Sequence, residues 1–211
     1  LVEVPPGRFI SLEGGEGAGK STQLRRLAEV LRGRGLDVLE TREPGGSEGA
    51  ELIRRLLLEG PEERWTAEAE ALLFAAARAD HVARTIRPAV ERGAWVLSDR
   101  FLDSSLAYQG GALGLGTEAI RALHRFGSRD YLPDRTLLLT LPAKETEQRL
   151  RFRDADGADR IGARDAAFHA GVAAAFEQLA DEEPGRFRRV DASGSADDVT
   201  ARVLAAIEDL L

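Results

Sequence analysis

Short apolar runs alternate along the chain with longer stretches in which apolar residues recur every three or four positions. The runs Arg8–Glu13, Asp37–Thr41, Trp95–Asp99, Thr136–Leu141 and Phe187–Asp191 predict strands. Several are apolar almost throughout, the pattern of parallel strands covered on both faces. The first helix is marked by Leu24, Leu27, Val30 and Leu31 and ends near Gly33 and Gly35. Further helical patterns span Ala67–Ala79, Val82–Glu91 (starting afresh beyond Asp80), Thr117–Phe126, Lys144–Phe152, Asp165–Leu179 and Asp197–Leu211. Alternation of this kind predicts an α/β fold, a five-stranded parallel sheet flanked by helices, in one domain over residues 1–211. The glycine- and charge-rich stretches Gly110–Gly116 and Asp154–Ala163 are expected to be mobile loops. No internal repeat or low-complexity linker interrupts the order.

Composition narrows the function classes. With no cysteine, disulfides, thiolate-bound zinc and thiol catalysis are excluded. His81, His124 and His169 lack metal-ligand spacing and are expected on the surface or on helices. A net charge of −7 without a long basic run argues against broad binding to nucleic acid. No apolar stretch approaches the roughly 18–20 residues that cross a bilayer, and no secretory pattern opens the sequence, so no membrane partner and a cytoplasmic location are expected.

The strongest chemical signal is Gly14-Gly15-Glu16-Gly17-Ala18-Gly19-Lys20-Ser21, an ungapped Walker A pattern between a predicted strand and a predicted helix. Its glycines let backbone N–H groups turn inward into an anion nest at the positive end of the helix. Lys20 is placed to reach the β- and γ-phosphates of a nucleoside triphosphate, and the Ser21 hydroxyl to ligate Mg²⁺. By itself the motif specifies triphosphate binding only.

The acceptor side is less specific residue by residue. Trp95-Val96-Leu97-Ser98-Asp99 is an apolar strand ending in a carboxylate, the form of a Walker B strand, with Asp99 a candidate for the metal; a turn-capping role is the alternative. Arg100 follows and has the planar fork that clamps a phosphate. Thr41-Arg42-Glu43-Pro44-Gly45-Gly46 reads either as a phosphate-binding strand end or as a structural turn, and Glu43–Pro44 is a plausible cis bond. Phe74 and Arg78, four residues apart, share a helical face. The ring can stack on a planar base, but an aromatic at this spacing, taken alone, is more often core. The segment from Asp103 to Gly111 offers hydroxyl and amide groups of the kind that read bases, though ordinary loops contain them too.

Taken in order behind this P-loop, Thr41–Gly46, Phe74 with Arg78, Asp99-Arg100-Phe101 and Ser104–Gly111 resemble the bacterial thymidylate kinases over nearly the whole chain. The Arg-Glu-Pro-Gly-Gly and Ala-Tyr-Gln-Gly segments are the most specific marks. The resemblance implies a P-loop nucleoside-monophosphate kinase fold that phosphorylates dTMP to dTDP with ATP and Mg²⁺, in dTTP biosynthesis, as a homodimer. It also implies that Phe74 stacks on thymine, Arg78 and Gln109 bond the base, Ser105 lies beside it, and Tyr108 sits under the sugar. Arg42 and Arg100 would hold the acceptor phosphate, Glu13 and Asp99 would lie near metal and phosphates, and Ala192 would pack beside adenine.

Arg149, Arg151 and Arg153, followed by Arg160, read from spacing alone as a solvated helix face. By resemblance they belong to a lid, approximately residues 149–163, that closes over ATP. With Glu16 and Ala18 in place of a P-loop arginine, the chain is similar to the subgroup that delivers this charge from the lid. Arg153 is the expected catalytic arginine, Arg149 an ATP contact, and Arg160 the substitute. Other readings of the same residues are another P-loop nucleotide or deoxynucleoside kinase, and a nucleotide-binding switch.

Overall fold

The computed structural model describes residues 7–142, Glu145 and 160–211. Five strands form one sheet: β1 (Arg8–Glu13), β2 (Val38–Arg42), β3 (Trp95–Asp99), β4 (Arg135–Thr140) and β5 (Phe187–Asp191). Their order is β2-β3-β1-β4-β5 with every pairing parallel. Three strands coincide with the predicted spans; β2 and β4 are each displaced by one residue from Asp37–Thr41 and Thr136–Leu141.

The inner strands β1, β3 and β4 are buried on both faces, which is why they carry apolar residues consecutively. Phe9, Val96 and Leu138 point to one side, among Ile86, Phe101, Leu106, Val172 and Phe176. Ile10, Leu12, Leu97, Leu137 and Leu139 point to the other, among Leu24, Leu27, Leu31, Val199 and Val203. The second face is covered by α1 (Lys20–Gly33) and the C-terminal helix Ala196–Ala205. The first is covered by the helices between β2 and β4 and by Ala166–Glu182.

Between β2 and β3 the chain forms α2 (Glu48–Leu58), α3 (Ala67–His81) and α4 (Arg87–Glu91). α2 has no counterpart among the predicted helices, although Ser47 caps it by accepting from the Ala50 N–H. The predicted break beyond Asp80 is absent: α3 runs through a π-helical turn, Val82–Ile86, into α4. Pro88 has no N–H to give, and the looser register lies just ahead of it.

After β3 come α5 (Leu102–Ser105), which continues as the π-helical turn Leu106–Ala112, then α6 (Thr117–Ser128). Gly110–Gly116 is therefore not the mobile loop expected of it. Backbone bonds from Leu113 to Tyr108, Leu115 to Gln109 and Gly116 to Gly110 pin it. Gly111 lacks a side chain because a Cβ there would lie 2.7 Å from that of Ala175, on the long helix α7 (Ala166–Glu182). The last helix, α8 (Ala196–Ala205), is followed by a 3₁₀ turn at Glu208–Leu210 rather than running to the terminus. All three histidines lie on helices, with His81 and His124 buried. The predicted helix Lys144–Phe152 and most of the expected lid lie outside the described residues.

Strands β1 and β3 are neighbours, yet the chain leaves them toward opposite faces, β1 into α1 and β3 into α5. A crevice opens between their carboxyl ends, where ligands of parallel sheets bind.

Candidate active site

One cleft of about 230 Å³ occupies that crevice. Its floor begins at the P-loop. Gly14, Gly17 and Gly19 have φ of 130°, 74° and 87°, a region that side chains disfavour. At Gly14 a Cβ would also stand 2.3 Å from the Leu139 carbonyl oxygen. α1 starts immediately after, at Lys20, so the loop's N–H groups and the helix dipole converge.

Lys20 Nζ donates to the carbonyls of Gly14 at 3.1 Å and Gly15 at 2.8 Å. Burial, with Arg100's charge adding, pulls its ammonium down to about 8. The Ser21 hydroxyl donates to Asp99 Oδ2 at 2.5 Å, which brings the two expected metal ligands together at the end of β3.

Arg100 turns the chain out of β3 with φ of 72°, a left-handed conformation that costs a non-glycine residue on the order of 1 kcal/mol or more. Its N–H donates to Leu12 O at 3.0 Å and its carbonyl accepts from Ser98 Oγ at 2.7 Å, which holds the turn. The guanidinium enters the cleft, donating to Gly14 O and Ser104 Oγ, each at 3.1 Å, to Tyr108 Oη at 3.2 Å and to Glu16 at 2.5 Å. Arg100 thus stands between the triphosphate loop and the acceptor end.

Glu13 does not line the cleft. It is fully buried, accepts from the Phe101 N–H at 2.7 Å and pairs with the Ser104 hydroxyl at 2.6 Å. Burial, reinforced by the Asp103 carboxylate, pushes its carboxyl up to about 8. Its position braces the turn that carries Arg100.

The acceptor end is lined by Arg42, Phe74, Arg78, Ser105, Tyr108 and Gln109, which with Arg100 make seven of the eight residues expected there, Glu13 being the exception. Arg42 is held by Glu51 at 3.1 Å, and Glu51 also accepts from the Gly46 N–H at 2.9 Å. The Glu43–Pro44 bond is cis. Arg78 is nearly inaccessible: Nε donates to Glu43 at 2.8 Å and Nη2 to Ser105 Oγ at 2.7 Å. Burial alone would raise the Glu43 carboxyl, but Arg78 and His81 outweigh it and hold it below the usual range. Behind them His81 links Glu43, 3.0 Å from Nδ1, to Thr41 Oγ1, 2.7 Å from Nε2. This resembles a nucleophilic triad on paper, but Gly46 lies directly over the Thr41–His81 contact: a Cβ there would be 2.3 Å from the ring. Thr41 and His81 do not line the cleft, though Glu43 does, and the chain Thr41–His81–Glu43 holds Arg78 in place.

Sequence reasoning missed several contributors. Arg54 lines the cleft and donates to Pro44 O at 2.6 Å; it sits on α2, the helix that was not predicted. Glu43 was legible only as part of a motif. Glu70 is four residues before Phe74 and on the same helical face, a spacing that could have singled it out. It receives Gln109, Arg160 and Arg164. Arg160, expected as the alternative lid arginine, is a correction: it is buried, bonded to Glu70 at 2.5 Å and to Leu57 O at 2.8 Å. Its guanidinium is paired with the Glu70 carboxylate on α3, which it shares with Arg164. Ala192 is fully buried, its N–H bonded to Thr140 O at 2.9 Å, and does not line the cleft. Arg149 and Arg153 lie outside the described residues. Among the described residues no cluster of three His, Asp or Glu could hold a metal, and no helix is long and apolar enough to cross a membrane.

Comparison with known proteins agrees with this geometry. A family model described as thymidylate kinase matches residues 12–203. A thymidylate kinase of Rhizorhabdus wittichii is 65% identical over 206 residues, 98% of this chain and 99% of that protein. One from Caulobacter vibrioides is 49% identical over 93% of this chain and 94% of its own length. The crystal structure of thymidylate kinase from Ehrlichia chaffeensis superimposes with a TM-score of 0.79 at 28% identity, covering 97% of this chain and 99% of that one. With a matching model across most of its length and relatives this similar, the chain belongs to the thymidylate kinase family.

Proposed function

We infer that the protein transfers the γ-phosphoryl group of ATP to dTMP, giving ADP and dTDP for dTTP synthesis. The observation that carries this reading is a cleft lined by Lys20 and Ser21, by Arg100, and by Phe74, Arg78 and Gln109. A triphosphate on the P-loop and a nucleoside monophosphate against α3 would meet phosphate to phosphate at Arg100. The acceptor phosphate has a second pKa of about 6, so it is largely dianionic at neutral pH and requires no general base. The protein's work is alignment and charge stabilisation. Arg100 and Arg42 fix the attacking oxygen, Lys20 meets the transferring phosphates, and Arg153 supplies the lid charge with Arg149 on ATP.

Mg²⁺ fits the donor set: a hydroxyl and a carboxylate oxygen stand 2.5 Å apart beside Lys20, and hard oxygen ligands suit this ion. Ser21 and Asp99 would hold it, and the chemistry supplied is neutralisation of charge on the β- and γ-phosphate oxygens. Homodimerisation and cytoplasmic action complete the proposal. The dimer is supported by large apolar side chains left in solvent on α3 and the two helices packed against it, Leu72 on α3, Leu52 and Leu56 on α2 and Phe126 on α6.

ADP release measured with dTMP, dUMP, thymidine, AMP or no acceptor tests the activity. Turnover with dTMP far above all others is expected; equal release without acceptor would make the protein a hydrolase.

Phe74 is half-buried, packs on the core and lines the cleft, so Phe74→Ala should act on both. Base–aromatic stacking is worth about 1–3 kcal/mol, so KM for dTMP should rise roughly 5- to 150-fold. KM for ATP should stay unchanged and Tm should fall modestly. A large loss of Tm with both substrates weakened equally would return Phe74 to the core alone.

The depressed Lys20 predicts a pH limb. Above about 8 the free enzyme's Lys20 is neutral, and a neutral amine attracts a polyphosphate less. Because kcat/KM reports the free enzyme, its value for ATP should fall above that pH, approaching about tenfold per unit. A profile flat to pH 9.5 would contradict the assignment.

A further inference from the structure

Reading a base requires that each polar group facing it present a fixed polarity, and an amide side chain is ambiguous: its two ends differ only in donor against acceptor. Gln109 is nearly inaccessible and lines the acceptor end of the cleft. Its Nε2 donates to Glu70 Oε1 at 2.9 Å. Glu70 does not line the cleft; it is fully buried on α3 behind Gln109. On its other oxygen, Oε2, it receives Arg160 Nη2 at 2.5 Å and Arg164 Nη2 at 2.8 Å. Two guanidinium donors on one oxygen leave Glu70 facing Gln109 as a carboxylate, which accepts and cannot donate. The amide nitrogen must therefore turn inward, and the carbonyl oxygen is left for the cleft.

We propose that Glu70 is a specificity-determining positioning residue: it sets the polarity of Gln109 so that the cleft shows the base an acceptor beside the donor Arg78. This rests on dTMP being the phosphoryl acceptor. Thymine presents a carbonyl oxygen at position 4 and an N–H at position 3, complementary to that pair. Cytosine presents an amine and a bare ring nitrogen, so both contacts are reversed. A site whose buried polar groups are left unpaired rejects the wrong ligand strongly, by on the order of 10⁴-fold. The wild-type ratio of kcat/KM for dTMP over dCMP is expected in that range.

Glu70→Gln makes a prediction that loss of packing does not. Arg160 and Arg164 would retain the carbonyl oxygen of the new amide, which turns its NH₂ toward Gln109. Gln109 would then reverse, giving its oxygen inward and its NH₂ to the cleft. That donor fits the bare N3 of cytosine and opposes the N–H of thymine. The expected result is a fall in kcat/KM for dTMP together with a rise for dCMP, lowering the ratio by about 10- to 10³-fold. Glu70→Asp keeps an acceptor-only partner and is expected to keep the dTMP preference, even with a lower Tm.

The measurement is steady-state kinetics of wild type and both variants with dTMP and dCMP. An equal loss on both substrates in Glu70→Gln means Glu70 is merely structural and overturns the proposal. So does a dTMP preference that collapses equally in Glu70→Asp. If Glu70→Gln does not fold, Glu70→Asp and the wild type still decide: a wild-type enzyme turning over dCMP within tenfold of dTMP removes the polarity argument at once. Wild-type turnover of dTMP by itself tests the underlying reading, so the two failures are distinguishable.

Discussion

Arg153→Ala is expected to lower kcat by about 10²–10⁴, near or below the range for an arginine finger, with KM for dTMP almost unchanged. The P-loop carries Glu16 and Ala18 where a loop arginine would stand, so any charge beyond that of Lys20 that meets the transferring γ-phosphoryl group has to come from outside the loop. Of the cations in the cleft, Arg100 is shared among Gly14, Glu16, Ser104 and Tyr108, and Arg42 and Arg54 line the acceptor side with Glu51 and Pro44 as partners. Arg160 is bound to Glu70 and cannot substitute without breaking a buried ion pair. Such a rupture typically costs 3–5 kcal/mol. A contact formed chiefly in the transition state lowers kcat and leaves ground-state binding alone. Lysine at position 153 should rescue partly, keeping the charge and losing the planar fork. Steady-state kinetics of the two variants decide it. Full activity in Arg153→Ala would transfer the role to Arg149 or Arg151, since Arg160 is committed.

Lys20→Ala is expected to cost about 10²–10³ in kcat, comparable to removing one preorganised donor aimed at developing charge. The fold should not suffer. Lys20 is a buried ammonium whose pKa is pulled from 10.5 to about 8. A lysine depressed in the folded state destabilises that state while it is charged, and the penalty fades as pH rises from about 8 through 10.5. At neutral pH the alanine variant is relieved of that penalty, and the nest of N–H groups is backbone. A Tm equal to or above wild type with kcat down by orders of magnitude is the expected pair of results. A lower Tm with near-normal turnover would remove Lys20 from the chemistry and make it a structural prop.

How much of this was legible in the sequence depended on whether the signal was local. The P-loop was, because its glycines, lysine and hydroxyl act through backbone geometry within eight consecutive residues. β1 and β3 were too, since a strand buried on both faces writes itself as a nearly continuous apolar run; β5, with Arg188 and Arg189 at its centre, carries no such run. α2 went unseen: its exposed Leu52 and Leu56 blur the apolar stripe, and the Ser47 cap was passed over. Glu13 illustrates the opposite limit. The resemblance puts it near metal and phosphates, but nothing along the chain says that Phe101 and Ser104 return to cover it. Gly110–Gly116 looked loose because glycine marks both turns and close packing; the deciding neighbour, Ala175, lies far along the chain. The same holds for Arg160, whose spacing after Arg153 suggested a shared role while its partner Glu70 sits on α3.

The backbone between the two substrate ends has a further consequence. Leu12 pairs across from Asp99 in the central strands. The Arg100 N–H is bonded to Leu12 O, the Phe101 N–H to Glu13, and the Arg100 guanidinium to Gly14 O. The loop for the triphosphate and the turn for the acceptor are thus stitched together across the middle of the sheet, and neither can open while β1 and β3 stay zipped. Amide hydrogens of Arg100 and Phe101 should therefore exchange with solvent only through unfolding of the whole chain. Nucleotide that binds this seam is expected to slow exchange across the sheet by a factor of one plus the ratio of its free concentration to Kd, rather than quieting one loop.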